Sequence, residues 1–334
     1  MKGLKIVFIG ALLMLLVSGA AFSQTIPEIP DLNDLNKTVD GFAKEIHESV
    51  PFYSTLGLNW SDAYIGKFFP SLPPHFGIGL TTGFTTFGSG SVKKVLGIID
   101  QGDKLPDFLE DIGLPMLGYT VEARLGGIIL PFDVGVKLGI LPLEGWGFAA
   151  DYLLVGADIR YALLDKPILP KVSVGIGYYH LKGGIRFPLG DGLELDVPST
   201  SHELKLGSPK MGFLWGTDTF ELKVQVSFRL PFITPYAGAG LSMSTSHAGY
   251  EFRSTVSVNG EEGIPTEVID ALKNMGIAGI SQNGFEYINE KTSFNMRLFG
   301  GISLNLTIIR FDINVLYNMT GGQFGASFGT RIQI

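Results

Sequence analysis

Few side chains in this 334-residue chain are of a type that does covalent or metal chemistry. It has no cysteine and five histidines, His47, His75, His180, His202 and His247. Without thiolates there is no iron–sulfur cluster, no Cys-ligated zinc and no disulfide framework. His180, His202 and His247 could share one rim with Ser201, Ser246 and Glu203, the residue types of a hydrolase, but no Asp-x-Asp or Asp-x-His pair accompanies them. They are also too scattered along the chain to make a metal site. Gly77-Ile78-Gly79-Leu80-Thr81-Thr82-Gly83 superficially resembles a dinucleotide loop, but its last spacing is wrong and no helix follows. The chain reads as having no catalytic residue, no metal and no cofactor.

The charged residues are more informative. They make up only 17% of the chain, against about 25% in an average globular protein. A net charge of −7 also argues against a partner rich in phosphate, so no nucleic acid is expected. Many of the charges recur at every second position, flanked by apolar residues. Glu122, Arg124, Asp133, Lys137, Asp158, Arg160, Glu221, Lys223, Arg229, Arg297, Arg310, Asp312 and Arg331 all fall on the polar row of such segments. The mixture of signs suggests pairing across a narrow interior rather than a strongly ion-selective channel.

Period-two alternation is what a strand with different surroundings on its two faces requires. Phe220, Leu222, Val224, Val226 and Phe228 alternate with Glu221, Lys223, Gln225, Ser227 and Arg229. Similar rows occur at Phe132–Ile140, at Phe311–Tyr317, where Leu316 breaks the polar row, and at Phe324–Ile334. Weaker ones occur at His75–Thr86, Tyr119–Ile129, Phe148–Leu163, Val172–Phe187, Pro235–Ser246 and Phe294–Thr307. A soluble sandwich would carry charge on its outer faces, whereas the second row here is rich in Gly, Ser, Thr and Asn. The expected fold is therefore all-β: a transmembrane antiparallel up-and-down β-barrel of about ten strands. Twelve is the alternative, if Glu203–Gly216 or Tyr53–Phe68 adds pairing.

Connection lengths agree with a barrel whose outer loops are long and inner turns short. Residues 87–118, 188–218 and 247–292 form three large connections on one side, and short turns at Leu130–Pro131, Asp165–Pro170, Leu230–Thr234 and Ile308–Ile309 lie on the other. Outward aromatics gather near both ends of the strands: Phe84, Tyr119, Tyr178, Phe220, Phe294, Tyr317 and Phe324 above, and Phe76, Phe132, Tyr161, Phe228 and Phe311 below.

Pro235-Tyr236-Ala237-Gly238-Ala239-Gly240-Leu241 is similar to the Pro-Tyr-x-Gly-x-Gly strand opening that recurs in small outer-membrane barrels. With the alternation over residues 74–334, the chain resembles the bacterial outer-membrane β-barrel proteins, of porin-like or fatty-acid-transporter-like type. The resemblance implies an outer-membrane location, with lipid and the outer-membrane assembly machinery as partners. Such barrels usually end in an aromatic residue; this chain ends in Ile334, with Phe328 the nearest aromatic.

Residues 1–23 have the charged start, apolar run and small-residue end of a cleaved secretory signal peptide, with mature chain beginning near Gln24. In residues 24–73, Leu32, Leu35, Val39, Phe42, Ala43, Ile46 and Val50 recur at helical spacing. This N-terminal helical segment is expected either in the periplasm or as a plug in the lumen. Two amphipathic stretches in the outer loops supply Val92, Val95, Leu96 and Ile99, and Val268, Ile269 and Leu272. With Trp146 they could form an apolar vestibule for a small hydrophobic solute. The function expected is passage or capture of a small solute across the outer membrane. The alternative is a structural or surface-exposed interaction protein with a sealed lumen.

Overall fold

The computed structural model describes residues 32–87, 114–145, 148–166, 168–188, 193–196, 203–258, 261–262, 280–281 and 284–334. Helix α1 (Leu32–Ser54) precedes ten long strands: β1 (Phe76–Phe87), β2 (Leu114–Gly126), β3 (Phe132–Gly145), β4 (Phe148–Leu164), β5 (Lys171–Pro188), β6 (Glu203–Ser227), β7 (Ile233–Val258), β8 (Gly284–Leu306), β9 (Ile309–Asn318) and β10 (Phe324–Gln333). Each strand pairs antiparallel with the next, and β10 pairs with β1 from Gly77↔Gln333 to Thr85↔Gly325, so the sheet closes without an edge. Three short pieces, Leu193–Asp196, Glu261–Glu262 and Ile280–Ser281, pair with the terminal residues of β6, β7 and β8. The closed count is ten, not twelve: Glu203–Gly216 belongs to β6, and Tyr53–Phe68 does not join the sheet.

Strands β9 and β10 have 10 residues each, close to the 9–11 that cross a bilayer at a tilt. By contrast β6, β7 and β8 have 25, 26 and 23 residues, so one side of the wall rises far above the membrane. Residues 203–218, 247–258 and 284–292, expected in outer loops, are therefore largely strand. Above the lipid neither face must be apolar, so the alternation fades while the backbone ladder continues.

The stretch from Ala43 to Ile65 lies inside the barrel. The last turn of α1 closes through Thr55 N–H to the Phe52 carbonyl and Leu56 N–H to the Tyr53 carbonyl. Gly57 then turns the chain at φ +81°, and a Cβ there would stand 2.5 Å from Thr120 Oγ1. From Leu58 to Ile65 the chain runs down the lumen with every residue buried. It emerges at the end of the barrel that holds Ile334, where Phe68 N–H bonds to the Gly127 carbonyl, and turns back into β1.

Candidate functional site: a lumen filled by the N-terminal segment

Inward positions along the wall follow a rule that the strand register makes visible. Across β2 to β6, the residues in one row are Arg124, Gly135, Asp158, Gly177 and Glu221. Across β4 to β8, another row reads Arg160, Gly175, Lys223, Gly240 and Arg297. In these two rows charges sit on the even strands and glycines on the odd ones. The absent side chains let a charge reach over the intervening strand to its partner. Arg124 Nη2 meets Asp158 Oδ1 at 2.7 Å over Gly135, and Arg297 Nε meets Glu221 Oε1 at 2.5 Å over Gly240. Lys223 Nζ meets Asp158 Oδ2 at 2.5 Å over β5, while Asp133 Oδ1 takes Arg124 at 2.5 Å and Arg160 at 2.8 Å. These side chains are almost wholly buried. The pairs thus run along the wall, rather than across the lumen as the mixed signs suggested, because the centre is already occupied.

What crosses the centre is the coil after α1. Asp62 Oδ1 accepts from Arg229 at 2.6 Å, and Oδ2 accepts from Arg310 at 2.7 Å and from Arg331 and Gln333 at 3.2 Å. Arg331 also pairs with Asp312. Arg160 donates to the Asp62 carbonyl, so one plug residue ties β4, β9, β10 and the end of β6. Burial alone would raise the Asp62 pKa; Arg310, Arg229 and Arg331 outweigh it and hold the carboxyl well below the usual range. Trp60 lies between the Arg124 and Arg331 guanidinium groups and donates to Glu122 Oε2 at 2.6 Å. Lys137 Nζ donates to the carbonyls of Ser54 and Leu56 at 2.7 and 2.6 Å, a cation at the carbonyl end of α1.

The helix is held differently. Ile46, Val50, Tyr53 and Leu56 pack with Tyr152, Leu154, Leu181, Phe213, Trp215 and Tyr250 from β4 to β7. On the other side Phe52 packs with Tyr236, Phe299 and Leu316. Leu316, which interrupts the polar row of β9, is thus a seat for the helix.

The outer face of the wall has the opposite character. Leu80, Val121, Val136, Ile176, Leu222, Leu298, Ile313 and Ile332 are all exposed large apolar residues, drawn from strands around the whole circumference. A continuous apolar belt is far larger than the patch of roughly 300–600 Å² that a soluble monomer exposes. The belt, the edgeless closure and the charged interior together fit only lipid outside. The chain is an outer-membrane β-barrel. Exposed Tyr178, Phe220, Phe294, Tyr317 and Phe324 ring its outer end, and Phe76, Tyr161 and Phe228 its inner end.

No family model matches this barrel, and no curated protein matches its sequence. Among solved structures it is similar to the outer membrane protease OmpT of Escherichia coli, at 8% identity and TM-score 0.38, over 78% of this chain and 95% of that one. The translocator domain of the autotransporter NalP from Neisseria meningitidis gives 10% identity and TM-score 0.35, over 93% and 99%. The CymD monoaromatic hydrocarbon channel gives 10% identity and TM-score 0.24, over 78% and 87%. Likeness this remote carries neither a residue role nor an activity; the barrel class rests on closure and the lipid-facing belt.

The thirteen charges singled out from the sequence thus fall into two groups. Glu122, Arg124, Asp133, Lys137, Asp158, Arg160, Glu221, Lys223, Arg297, Arg310, Asp312 and Arg331 are buried inside the barrel. Arg229 stands at its inner mouth with its side chain 42% exposed and reaches in to Asp62. Val92, Val95, Leu96, Ile99, Trp146, Val268, Ile269 and Leu272 lie outside the described residues, as do His202 and Ser201. Of the residues named for a histidine and serine rim, Ser246 points inward and bonds to His47 at 2.8 Å, whereas His180 is half-exposed on the outer wall beside Asp218 and Tyr178, with His247 near both His180 and Asp218. Asp62 and Trp60 escaped the sequence reading because the coil around them has neither strand nor helix periodicity. The one available signal was a set of turn glycines, Gly57 and Gly66, flanking a short polar and aromatic stretch.

Proposed function

We propose that this barrel is a passage for a small solute across the outer membrane, closed at rest by its own N-terminal segment. The observation that carries the reading is the unlike attachment of the two halves of that segment. Residues 58–65 are tied by ion pairs and hydrogen bonds to both sides of the wall. Above them, α1 rests mainly on apolar side chains, and its lower end is held by Lys137 Nζ on the Ser54 and Leu56 carbonyls, so its release breaks far fewer charged contacts than release of the coil would. Export by a cleaved signal peptide and insertion by the outer-membrane assembly machinery, reading the closing strand β10, belong to the same proposal.

The second reading is a sealed barrel whose role is structural or in surface interaction. The charge rows favour it, since they brace the wall whether or not anything passes. Planar-bilayer conductance separates the two. A passage predicts defined steps when residues 24–66 are deleted and few or none with them present; silence in both forms supports the sealed barrel.

A further inference from the structure

The ladder between β2 and β3 is the shortest in the ring of ten strands. It holds six residue pairs, from Gly126↔Asp133 up to Val121↔Leu138, and then stops. Its neighbours continue to the outer end, β1–β2 as far as Phe87↔Leu114 and β3–β4 as far as Gly145↔Phe148. Carried upward in the same register, Tyr119 would stand opposite Ile140, Leu117 opposite Pro142 and Pro115 opposite Glu144. Proline has no N–H to donate, so two of the bonds that would extend the ladder cannot form. The outer halves of β2 and β3 therefore meet at a seam without backbone pairing.

Three tyrosines from three different elements close that seam. Tyr152 of β4 reaches across β3 at Gly139, where a Cβ would stand 2.7 Å from its hydroxyl. The hydroxyl accepts from the Tyr119 N–H at 2.9 Å and donates to the Tyr119 carbonyl. The Tyr119 hydroxyl donates to the Ile140 carbonyl on β3. Tyr53 of α1 donates to the Leu117 carbonyl at 2.7 Å, in place of the N–H that Pro142 lacks, and a Cβ on Gly118 would collide with that hydroxyl. The rings meet edge to face, Tyr119 with Tyr152 at 6.1 Å and Tyr152 with Tyr53 at 6.2 Å. Side-chain hydroxyls thus do at the seam what N–H groups do elsewhere in the wall: they keep backbone groups paired beside lipid, where unpaired ones are not tolerated. Unlike a ladder, each of these bonds lets go by a side-chain rotation, and one of them belongs to the plug helix.

Apolar surface lies on both sides of the seam. Outside, Leu117, Val121, Leu138 and Ile140 are exposed members of the lipid-facing belt. Inside, Met116, Tyr119 and Leu141 pack on the seat of α1, and Leu154, paired with Gly139, lies buried behind them with Leu56 of the plug. We propose that the β2–β3 seam is a side exit between the lumen and the lipid, taken by apolar or amphiphilic solutes, with Tyr53, Tyr119 and Tyr152 as its latch. The proposal rests on the passage reading and adds the route and the solute class. Withdrawal of α1 removes Tyr53 and empties the apolar seat. A solute then fills the seat and leaves sideways between Gly118 and Gly139 without crossing water, whereas an ion would have to shed its hydration into an apolar slot.

The test uses the full mature chain in liposomes containing dodecanol with a diazirine at the end of its chain, with adducts mapped by mass spectrometry after illumination. In wild type, adducts are expected on Leu117, Val121, Leu138 and Ile140 and scarcely on Leu56 and Leu154. Tyr119→Phe with Tyr152→Phe removes the latch between the strands and should raise labelling of Leu56 and Leu154 several-fold. Tyr53→Phe is the milder change, should raise it less, and serves if the double variant does not fold; heat-modifiable gel mobility reports the folded barrel in each case. Because the chain has no cysteine, Leu117→Cys with Ile140→Cys can be joined across the seam by dibromobimane, and in the latch variants this clamp should return labelling to the wild-type level. Tyr178→Phe, in the unbroken β5–β6 ladder, should change nothing. Wild-type labelling in the latch variants, or an equal rise with Tyr178→Phe, would overturn the seam. Labelling that survives the clamp would put entry at an end of the barrel, overturning the side exit and leaving the passage standing. A water-soluble diazirine that labels both leucines with the same clamp-sensitive rise would overturn the solute class. Conductance of the deletion form judges the passage reading separately.

Discussion

At the scale of single residues, Asp62 does the most to fix the plug. Removing one member of a buried charge cluster leaves its partners uncompensated, at a cost of about 3–5 kcal/mol. Asp62→Ala leaves Arg229, Arg310 and Arg331 facing one another, with Asp312 paired to Arg331 and Asp165 near Arg229 as the remaining acids named beside them. It is expected to lower the barrel's unfolding temperature and to produce flickering conductance. Trp60→Phe keeps the ring between two guanidinium groups and loses one hydrogen bond to Glu122, which still accepts from Thr120; its cost is expected to be smaller. A pH expectation follows from the same carboxylate. Its folded pKa is depressed, so its stabilisation is fully present above the unfolded value of about 3.9 and is lost only as pH falls through the lower folded value. Between pH 7 and about pH 4 the Asp62 contribution should therefore be constant. Unfolding midpoints of wild type and Asp62→Asn across that range check it: their difference should not shrink until the acid end.

At the scale of elements, the alternation of charge-bearing and glycine-bearing strands lets a narrow wall hold ion pairs two strands apart. A Cβ on Gly240 would stand 2.3 Å from Glu221 Oε1, and one on Gly135 2.5 Å from Asp158 Oδ1. Gly240→Val is therefore expected to break the Glu221–Arg297 bridge and destabilise the folded barrel by several kcal/mol, on the order of a broken buried pair. Leu241→Val, one position away on the lipid face, should cost about 1 kcal/mol or less. Urea unfolding from lipid vesicles distinguishes them. The glycines of the Pro235–Leu241 stretch are legible in the sequence, as are the charges. Their pairing is not, because it depends on register, which brings Gly240 between Lys223 and Arg297 only once three strands are aligned.

At the scale of the whole molecule, two solvents hold the barrel in place. The lipid-facing belt makes substitutions there costly in a way that depth controls: Ile176→Lys is expected to cost about 2–4 kcal/mol near the midplane. Leu214→Lys, on the part of β6 that rises above the bilayer, should cost much less. Vesicle-based unfolding of both variants is the check. The tall β6–β8 side also offers a surface above the membrane that the short β9–β10 side lacks.

Sequence alone determined the class. A strand between lipid and a polar interior must alternate, lipid makes an inward charge far cheaper than an outward one, and closure explains an apolar chain without a long apolar helix; all of this is local and readable residue by residue. The inward orientation of Arg124, Asp158 and Lys223 was legible for that reason. Tertiary structure alone decided what fills the lumen, that the charges pair along the wall over glycines, and that Leu316 and Phe299 seat a helix residue. These depend on contacts between positions up to about 270 residues apart, such as Ser61 with Arg331, and no periodicity in either segment encodes the meeting. An inward leucine looks like an error in a polar row until Phe52 stands opposite it.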